Sequence, residues 1–164
     1  MTEKERELLN LLEKEGRMRE EKIAKMLDVS EAEVKKTIER LEHDKIILGY
    51  SAIVDWSKVD VSETVTATID VKVTPKRGVG FDEVAERIYR FKEVKALYLM
   101  SGTYDLSVVI EGKTMSEIAN FVSEKLSTLD SVISTTTHFQ LKKYKHDGVV
   151  FEDRDDDHRI VVSP

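Results

Sequence analysis

Thr64-Val65-Thr66-Ala67-Thr68-Ile69-Asp70-Val71-Lys72-Val73-Thr74 alternates without a break. Val65, Ala67, Ile69, Val71 and Val73 share one parity; the threonines, Asp70 and Lys72 share the other. Successive side chains of a strand point to opposite faces, so a period of two predicts a strand with one apolar face and one polar face. A strand of this kind needs a sheet and a layer to cover its apolar side, and the flanking sequence offers both.

Towards the C-terminus, residues 75–80 read as a loop. Phe81, Val84, Ala85, Ile88 and Phe91 then mark an amphipathic helix. Residues 94–101 read as a second strand, Gly102-Thr103-Tyr104-Asp105 as a hairpin connection and residues 106–111 as a third strand. Thr114 with Glu117 forms a capping box for a helix expected to bury Ile118, Ala119, Val122, Leu126 and Leu129. A threonine-rich fourth strand is expected over 132–144. The order βαββαβ is the ferredoxin-like arrangement, an antiparallel four-stranded sheet with both helices on one face. Its open face would carry either the Thr row or the row of Leu97 and Leu99. The second strand is apolar on both parities, with Ala96, Tyr98 and Met100 opposite the leucines, which suggests a dimer interface.

Towards the N-terminus the period changes to that of helices. Thr2 with Glu5 fits a capping box, Leu8, Leu9 and Leu12 share a face, and Gly16 stands where a C-terminal cap belongs. A short helix over 20–27 turns Ile23, Ala24 and Leu27 inward, and Asp28-Val29 makes a tight turn. Ser30 with Glu33 opens a third helix with Val34, Ile38 and Leu41 on its buried stripe. Residues 46–55 are apolar and β-like, and read as the wing and the strand leaving this domain. The boundaries are therefore 1–55 for the first domain, 56–63 for a linker, 64–145 for the second domain and 146–164 for a tail. In the tail Val149-Val150-Phe151 and Ile160-Val161-Val162 flank a charged segment and suggest a hairpin.

The chain has 164 residues and a net charge of −6. Residues 1–50 hold eleven Lys/Arg against thirteen Asp/Glu, so any nucleic-acid binding must come from a local basic patch. The absence of cysteine excludes disulfides, thiolate zinc sites and a cysteine nucleophile, and fits a reducing cytoplasm. No stretch is long enough to span a membrane, and the first residues lack the pattern of a signal peptide.

The ordered set of motifs resembles the Lrp/AsnC (feast/famine) regulators. It runs Gly16-Arg17-Met18-Arg19, Ile23-Ala24 with Leu27, Val29-Ser30 with Val34, Ile38 with Arg40-Leu41-Glu42, Ile46 with Gly49-Tyr50, Gly102 with Tyr104-Asp105, and the entry to the fourth strand at 132–137. The match covers roughly residues 1–145. The resemblance implies an α+β protein: an N-terminal winged helix-turn-helix domain and a C-terminal ferredoxin-like domain for effector binding and oligomerisation. It also implies a homodimer able to assemble further, often to an octamer, acting on double-stranded DNA in response to an amino acid. No cofactor is expected, since the chain shows no phosphate loop and no Gly-rich strand-to-helix turn.

In a helix-turn-helix protein the second helix of the motif enters the major groove with its N-terminal residues leading. Here that helix presents Ala32 and Lys36 outward, with Lys35 and Arg40 at the edge of the same face. Ser30 at its N-terminus can hold a phosphate, and Arg17 and Arg19 can hold the backbone. The competing reading is a solvated charged face, and Glu31, Glu33 and Glu39 count against tight binding. For the effector, Gly102 permits an unusual backbone and Asp105 supplies a carboxylate suited to an α-amino group. By resemblance, Gly102, Thr103, Tyr104 and Asp105, with Ser134, Thr135 and Thr136 from a neighbouring subunit or dimer, frame an amino acid. The competing reading is an aspartate that only fixes the turn and threonines chosen for β propensity.

Two other function classes stand beside this one. An amino-acid-sensing module could regulate a protein partner without DNA, and a small enzyme could share the scaffold, although the scattered histidines (His43, His138, His146, His158) suggest no catalytic relay or metal pair. The acidic residues at 153–157 lack the glycine and spacing of a calcium loop and read as a solvated turn.

Overall fold

The computed structural model describes residues 1–59, 64–74 and 80–151. The chain divides into two compact units, Met1–Val54 and Asp55–Pro164.

The first unit is three helices: α1 (Glu3–Lys14), α2 (Glu20–Leu27) and α3 (Glu31–His43). Each start has a local cause. The Glu5 N–H donates to Thr2 Oγ1 at 3.2 Å and the Thr2 N–H donates back to Glu5 Oε2 at 2.7 Å, a complete capping box. At α3 the box is half-built: the Glu33 N–H donates to Ser30 Oγ at 3.2 Å, and no bond returns from the Glu33 carboxylate. Asp28 ends α2 in the left-handed conformation, φ 51°, which reverses the chain into α3. Leu8, Leu12, Ile23, Ala24, Leu27, Val34 and Leu41 form one buried cluster, with Leu9 and Ile38 at its edge.

The β-like segment departs from expectation. Residues 46–55 form no strand. A strand exists only when its backbone groups meet a partner, and this unit supplies none. The segment leaves Leu48 86% exposed, with Ile46, Tyr50, Ile53 and Val54 also exposed. In the segment read as a linker, Trp56–Lys58 is a single 3₁₀ turn capped by Asp55.

The second unit contains β1 (Val65–Val73), α4 (Asp82–Tyr89), β2 (Val94–Leu99), β3 (Leu106–Gly112), α5 (Met115–Phe121) and β4 (Val132–Phe139). The strands lie in the order β2-β3-β1-β4 with every neighbour antiparallel. The decisive strand behaves as its alternation demands. Ala67, Ile69, Val71 and Val73 are buried with Val84 and Ile88 of α4, Ile118 and Phe121 of α5, and Leu126 beyond it. Both helices therefore cover one face of the sheet. Leu97 pairs with Val108 and Leu99 with Leu106, so these leucines stand on the helix-covered face, and the open face carries the Thr row with Ala96, Tyr98, Ser107 and Val109.

Three details correct the sequence reading. Ala119 is exposed, and Phe121 takes the core position instead, edge-on to Phe91 with ring centroids 5.4 Å apart. The helix continues past Phe121 as a wider π-type turn, Val122–Leu126, which shifts the inward stripe away from a regular 3.6 period. β4 stops at Phe139, opposite Ala67 near the start of β1, because the partner strand ends there. The tail hairpin pairs β5 (Lys145–His146) with β6 (Val149–Val150) about Asp147-Gly148. The expected partner triplet at 160–162 and the acidic residues at 153–157 lie outside the described residues.

Candidate functional site

The outer side of α3 follows from its inner side. With Val34 and Leu41 buried, Ala32, Lys35, Lys36, Glu39 and His43 are exposed. Lys35 and Lys36, like Arg17 and Arg19 near the start of α2, make no ion pair among the described residues, so their charges face solvent. The Ser30 hydroxyl already accepts the Glu33 N–H, which leaves its own O–H to donate to an anion.

Arg40 stands apart from this set. Its guanidinium bonds Glu5 of α1, and at 3.5 Å it meets Asp44 one turn along. Glu5 is committed at both oxygens, Oε2 to the Thr2 N–H of the capping box and Oε1 to Arg40. The α3 arginine is thus a strut to the N-terminus of α1.

A further strut escaped the sequence reading. The Tyr50 hydroxyl donates to Glu42 Oε1 at 2.9 Å, and its ring lies 3.4 Å from where a Cβ on Gly16 would stand. Gly16 follows Glu15, the cap of α1, and does not take the left-handed backbone expected of a capping glycine. Partial burial, then the adjacent Glu42 carboxylate, pushes the Tyr50 phenol above its ordinary range. The only sequence signal was an aromatic residue behind an apolar run.

In the second unit, the segment between β2 and β3 crosses to the end of β1. Gly102 has φ 151°, outside the range that side chains favour. Asp105 is stitched in three ways. Its N–H donates to the Val71 carbonyl at 3.0 Å, its carbonyl accepts the Met100 N–H at 2.8 Å, and its Oδ2 accepts the Val73 N–H at 2.9 Å. The Asp105 side chain therefore ties this loop to the end of β1. Oδ1 receives no hydrogen bond from the described residues. Tyr104 is half-buried and Thr103 exposed.

Ser134, Thr135 and Thr136 do not form one patch. Ser134 pairs with Lys72 and Thr136 with Asp70 on the open face, while Thr135 pairs with Val71 on the helix-covered face. The strand period of two separates them. Asp105 and Ser134 nonetheless flank the same end of β1, one on each edge, roughly 10 Å apart as two strand spacings. On the open face His138 Nε2 lies 3.0 Å from Asp70 Oδ2. This pair joins residues far apart in sequence, and the histidine had looked isolated. Among the described residues no helix is long and apolar enough to cross a membrane.

Comparison with known proteins follows the same division. Residues 1–42 match the AsnC-type helix-turn-helix domain and residues 66–150 match the Lrp/AsnC ligand binding domain. The Bacillus subtilis protein named uncharacterized HTH-type transcriptional regulator YugG is 68% identical over 164 residues, covering 100% of this chain and 99% of that one. The Pyrococcus abyssi HTH-type transcriptional regulator LrpA is 31% identical over 143 residues, 87% of this chain and 98% of its own. A transcriptional regulator of Neisseria meningitidis, solved as its L-Met complex, superposes with a TM-score of 0.68 at 20% identity, over 89% of this chain and 93% of that one. These relatives carry regulators' names, in keeping with the expectation of a non-enzyme. With its helix-turn-helix reader and its antiparallel α/β domain, this chain belongs to the Lrp/AsnC family of DNA-binding transcriptional regulators.

Proposed function

We propose that this regulator reads a specific operator with α3 and changes its DNA occupancy when the second unit binds an amino acid. Ser30, Ala32, Lys35 and Lys36 meet the major groove and its phosphates, with Arg17 and Arg19 on the flanking backbone. Arg40 contributes by holding α3 against α1. The observation that carries the effector reading is the Asp105 carboxylate. One oxygen is fixed by the Val73 N–H and the other takes no hydrogen bond from the described residues, at a loop in which Gly102 has φ 151°. An anchored carboxylate of this kind suits an α-ammonium group, with Thr103 and Tyr104 beside it and Ser134 and Thr136 supplied by a neighbouring subunit or dimer. The L-Met complex of the Neisseria regulator supports an amino acid as the ligand class.

The active form is a homodimer able to assemble to an octamer, working in the cytoplasm. Each reader is slightly acidic, so a multivalent assembly supplies the affinity that a single charged face does not. A thermal-shift screen of the twenty amino acids tests the sensor, because a ligand that binds the folded state raises its melting temperature by mass action. A mobility shift on candidate operators, with and without the hit, tests the coupling. The proposal fails if no amino acid moves the melting temperature, or if the hit leaves the mobility shift unchanged.

A further inference from the structure

Residues 141–151 carry a feature that neither the reading helix nor the effector loop uses. Lys142, Lys143 and Lys145 fall within four residues, and no other four-residue stretch of the chain holds three Lys or Arg. A short hairpin presents them. Asp147 and Gly148, with φ of 44° and 81°, form the left-handed pair that two-residue hairpins prefer. The ladder sets Lys145 opposite Val150 and His146 opposite Val149. The Phe151 N–H donates to the Tyr144 carbonyl at 2.9 Å, which sets Tyr144 opposite Phe151. Lys142 and Lys145 are exposed and Lys143 is half-buried.

None of the three ammonium groups pairs with a carboxylate among the described residues. Asp147, the one acidic residue between 131 and 151, lies 3.6 Å from His146 Nε2 instead. Lys142 Nζ lies 5.0 Å from the Tyr144 ring centre, and Lys143 Nζ 5.5 Å from that of Phe151. A ring face attracts a cation without neutralising it, so it fixes where the charge stands and leaves the N–H donors free for an anion. Two opposed rings thus position two of the three cations. From Lys142 to Lys145 the chain spans at most about 11 Å. A DNA duplex presents one negative charge per about 1.7 Å of its axis, so it can meet all three at once. DNA is also the polyanion that the helix-turn-helix already brings to this protein.

We propose that Lys142, Lys143 and Lys145 form a second DNA contact, made to the phosphate backbone, blind to sequence and separate from the reading helix. The choice of partner rests on the regulator reading; the site rests on the hairpin itself. Lysine ammonium groups suit this task, being point charges with rotatable donors that hold phosphates without reading base edges. Residues 1–50 hold eleven Lys/Arg against thirteen Asp/Glu, so the reader has little charge with which to hold DNA, and the hairpin supplies some of it. Each ammonium that meets a phosphate releases condensed counterions, which adds affinity for any duplex and steepens its salt dependence. Sequence selection stays with α3, and the hairpin keeps the regulator on DNA at right and wrong sites alike.

Binding of the full-length protein to a labelled duplex of unrelated sequence, followed from about 50 to about 200 mM salt, tests the contact. Lys142→Gln with Lys143→Gln and Lys145→Gln should weaken it at least about tenfold at about 50 mM salt and lower the salt slope by about two to three. The melting temperature and the sedimentation of the variant should match the parent's. Arginine at the same three positions should keep the binding. Unchanged affinity and slope in the glutamine variant, or an equal loss in the arginine variant, overturns the proposal and leaves the regulator reading standing. A parent that binds no duplex overturns both. Lysine acetylation read by mass spectrometry locates the contact. In the free protein Lys142 and Lys145 should react as fast as the exposed Lys36, and saturating duplex should protect them. Slow reaction in the free protein, as when the acidic residues at 152–157 neutralise them, overturns the proposal, and so does protection by anionic vesicles or RNA but not by the duplex.

Discussion

Asp105 Oδ2 accepts the Val73 N–H at 2.9 Å across 32 residues of sequence, so the carboxylate proposed to meet the effector also closes the end of β1. Structural and ligand roles can be separated chemically. Asp105→Asn keeps an acceptor for the Val73 N–H and removes the charge. Its melting temperature should stay near that of the parent, while amino-acid binding by calorimetry falls at least about tenfold, the loss of one charge-assisted bond. Asp105→Ala should lose binding and also about 1–2 kcal/mol of stability, because the Val73 N–H is left without its partner. Unchanged affinity in the asparagine variant would remove Asp105 from the effector site.

Lys36 and Arg40 should behave differently although they share a helix. Lys36→Glu touches no partner among the described residues. It should leave the urea midpoint unchanged, weaken DNA binding at least about tenfold and lower the salt slope by about one. Arg40→Glu sets a third carboxylate against Glu5 and Asp44. It should cost about 1 kcal/mol of stability in the first unit, with weaker DNA binding following from that loss. Equal stability loss in both variants would contradict this division.

Tyr50 predicts an alkaline effect. Burial first, then Glu42, favours the neutral phenol in the fold and raises its pKa above the ordinary value of 10.0. A group raised on folding contributes stability that is complete below its unfolded pKa and is lost as pH rises through the folded one. Denaturation midpoints of the parent should therefore fall more steeply above about pH 10 than those of Tyr50→Phe. Matching curves would mean that the Glu42 bond is not kept in solution.

Glu93 predicts the opposite, acid-side effect. Lys125 Nζ donates to Glu93 Oε1 at 2.7 Å and lies over the rings of Phe91 and Phe121, while Glu93 Oε2 is buried without a partner among the described residues. The Lys125 hydrogen bond holds the Glu93 carboxyl below its ordinary range despite burial. That contribution is present above the unfolded carboxyl pKa, near 4.5, and is lost as pH falls through the folded value. Lys125→Met strands the carboxylate and should cost about 1.5–3 kcal/mol near neutral pH by urea denaturation. Lys125→Met combined with Glu93→Gln should recover part of it. No recovery would show that lost packing, not the stranded charge, sets the cost.

What could be read directly from the chain was local. Thr2 with Glu5, Ser30 with Glu33 and Thr114 with Glu117 each bond within three residues, so spacing alone located three helix starts. The box at Thr114 is displaced by one residue, with Glu117 Oε2 accepting the Lys113 N–H at 2.7 Å, a shift that spacing could not show. The strict alternation from Val65 to Val73 identified its own buried face, because parity is a property of a single strand. Adjacency in sequence misled only where it was taken for adjacency in space. Ser134, Thr135 and Thr136 looked like one hydroxyl cluster, and the pleat sends Thr135 to the opposite face.

The sequence by itself therefore determined the two fold types, their order and most of the faces they bury, since period and capping act over a few residues. Tertiary structure alone decided the partnerships that span tens of residues: Arg40 with Glu5, Asp105 with Val73, His138 with Asp70. Each depends on how helices dock or which strand registers beside which, and those choices come from packing the whole core. They have no period for a single segment to display.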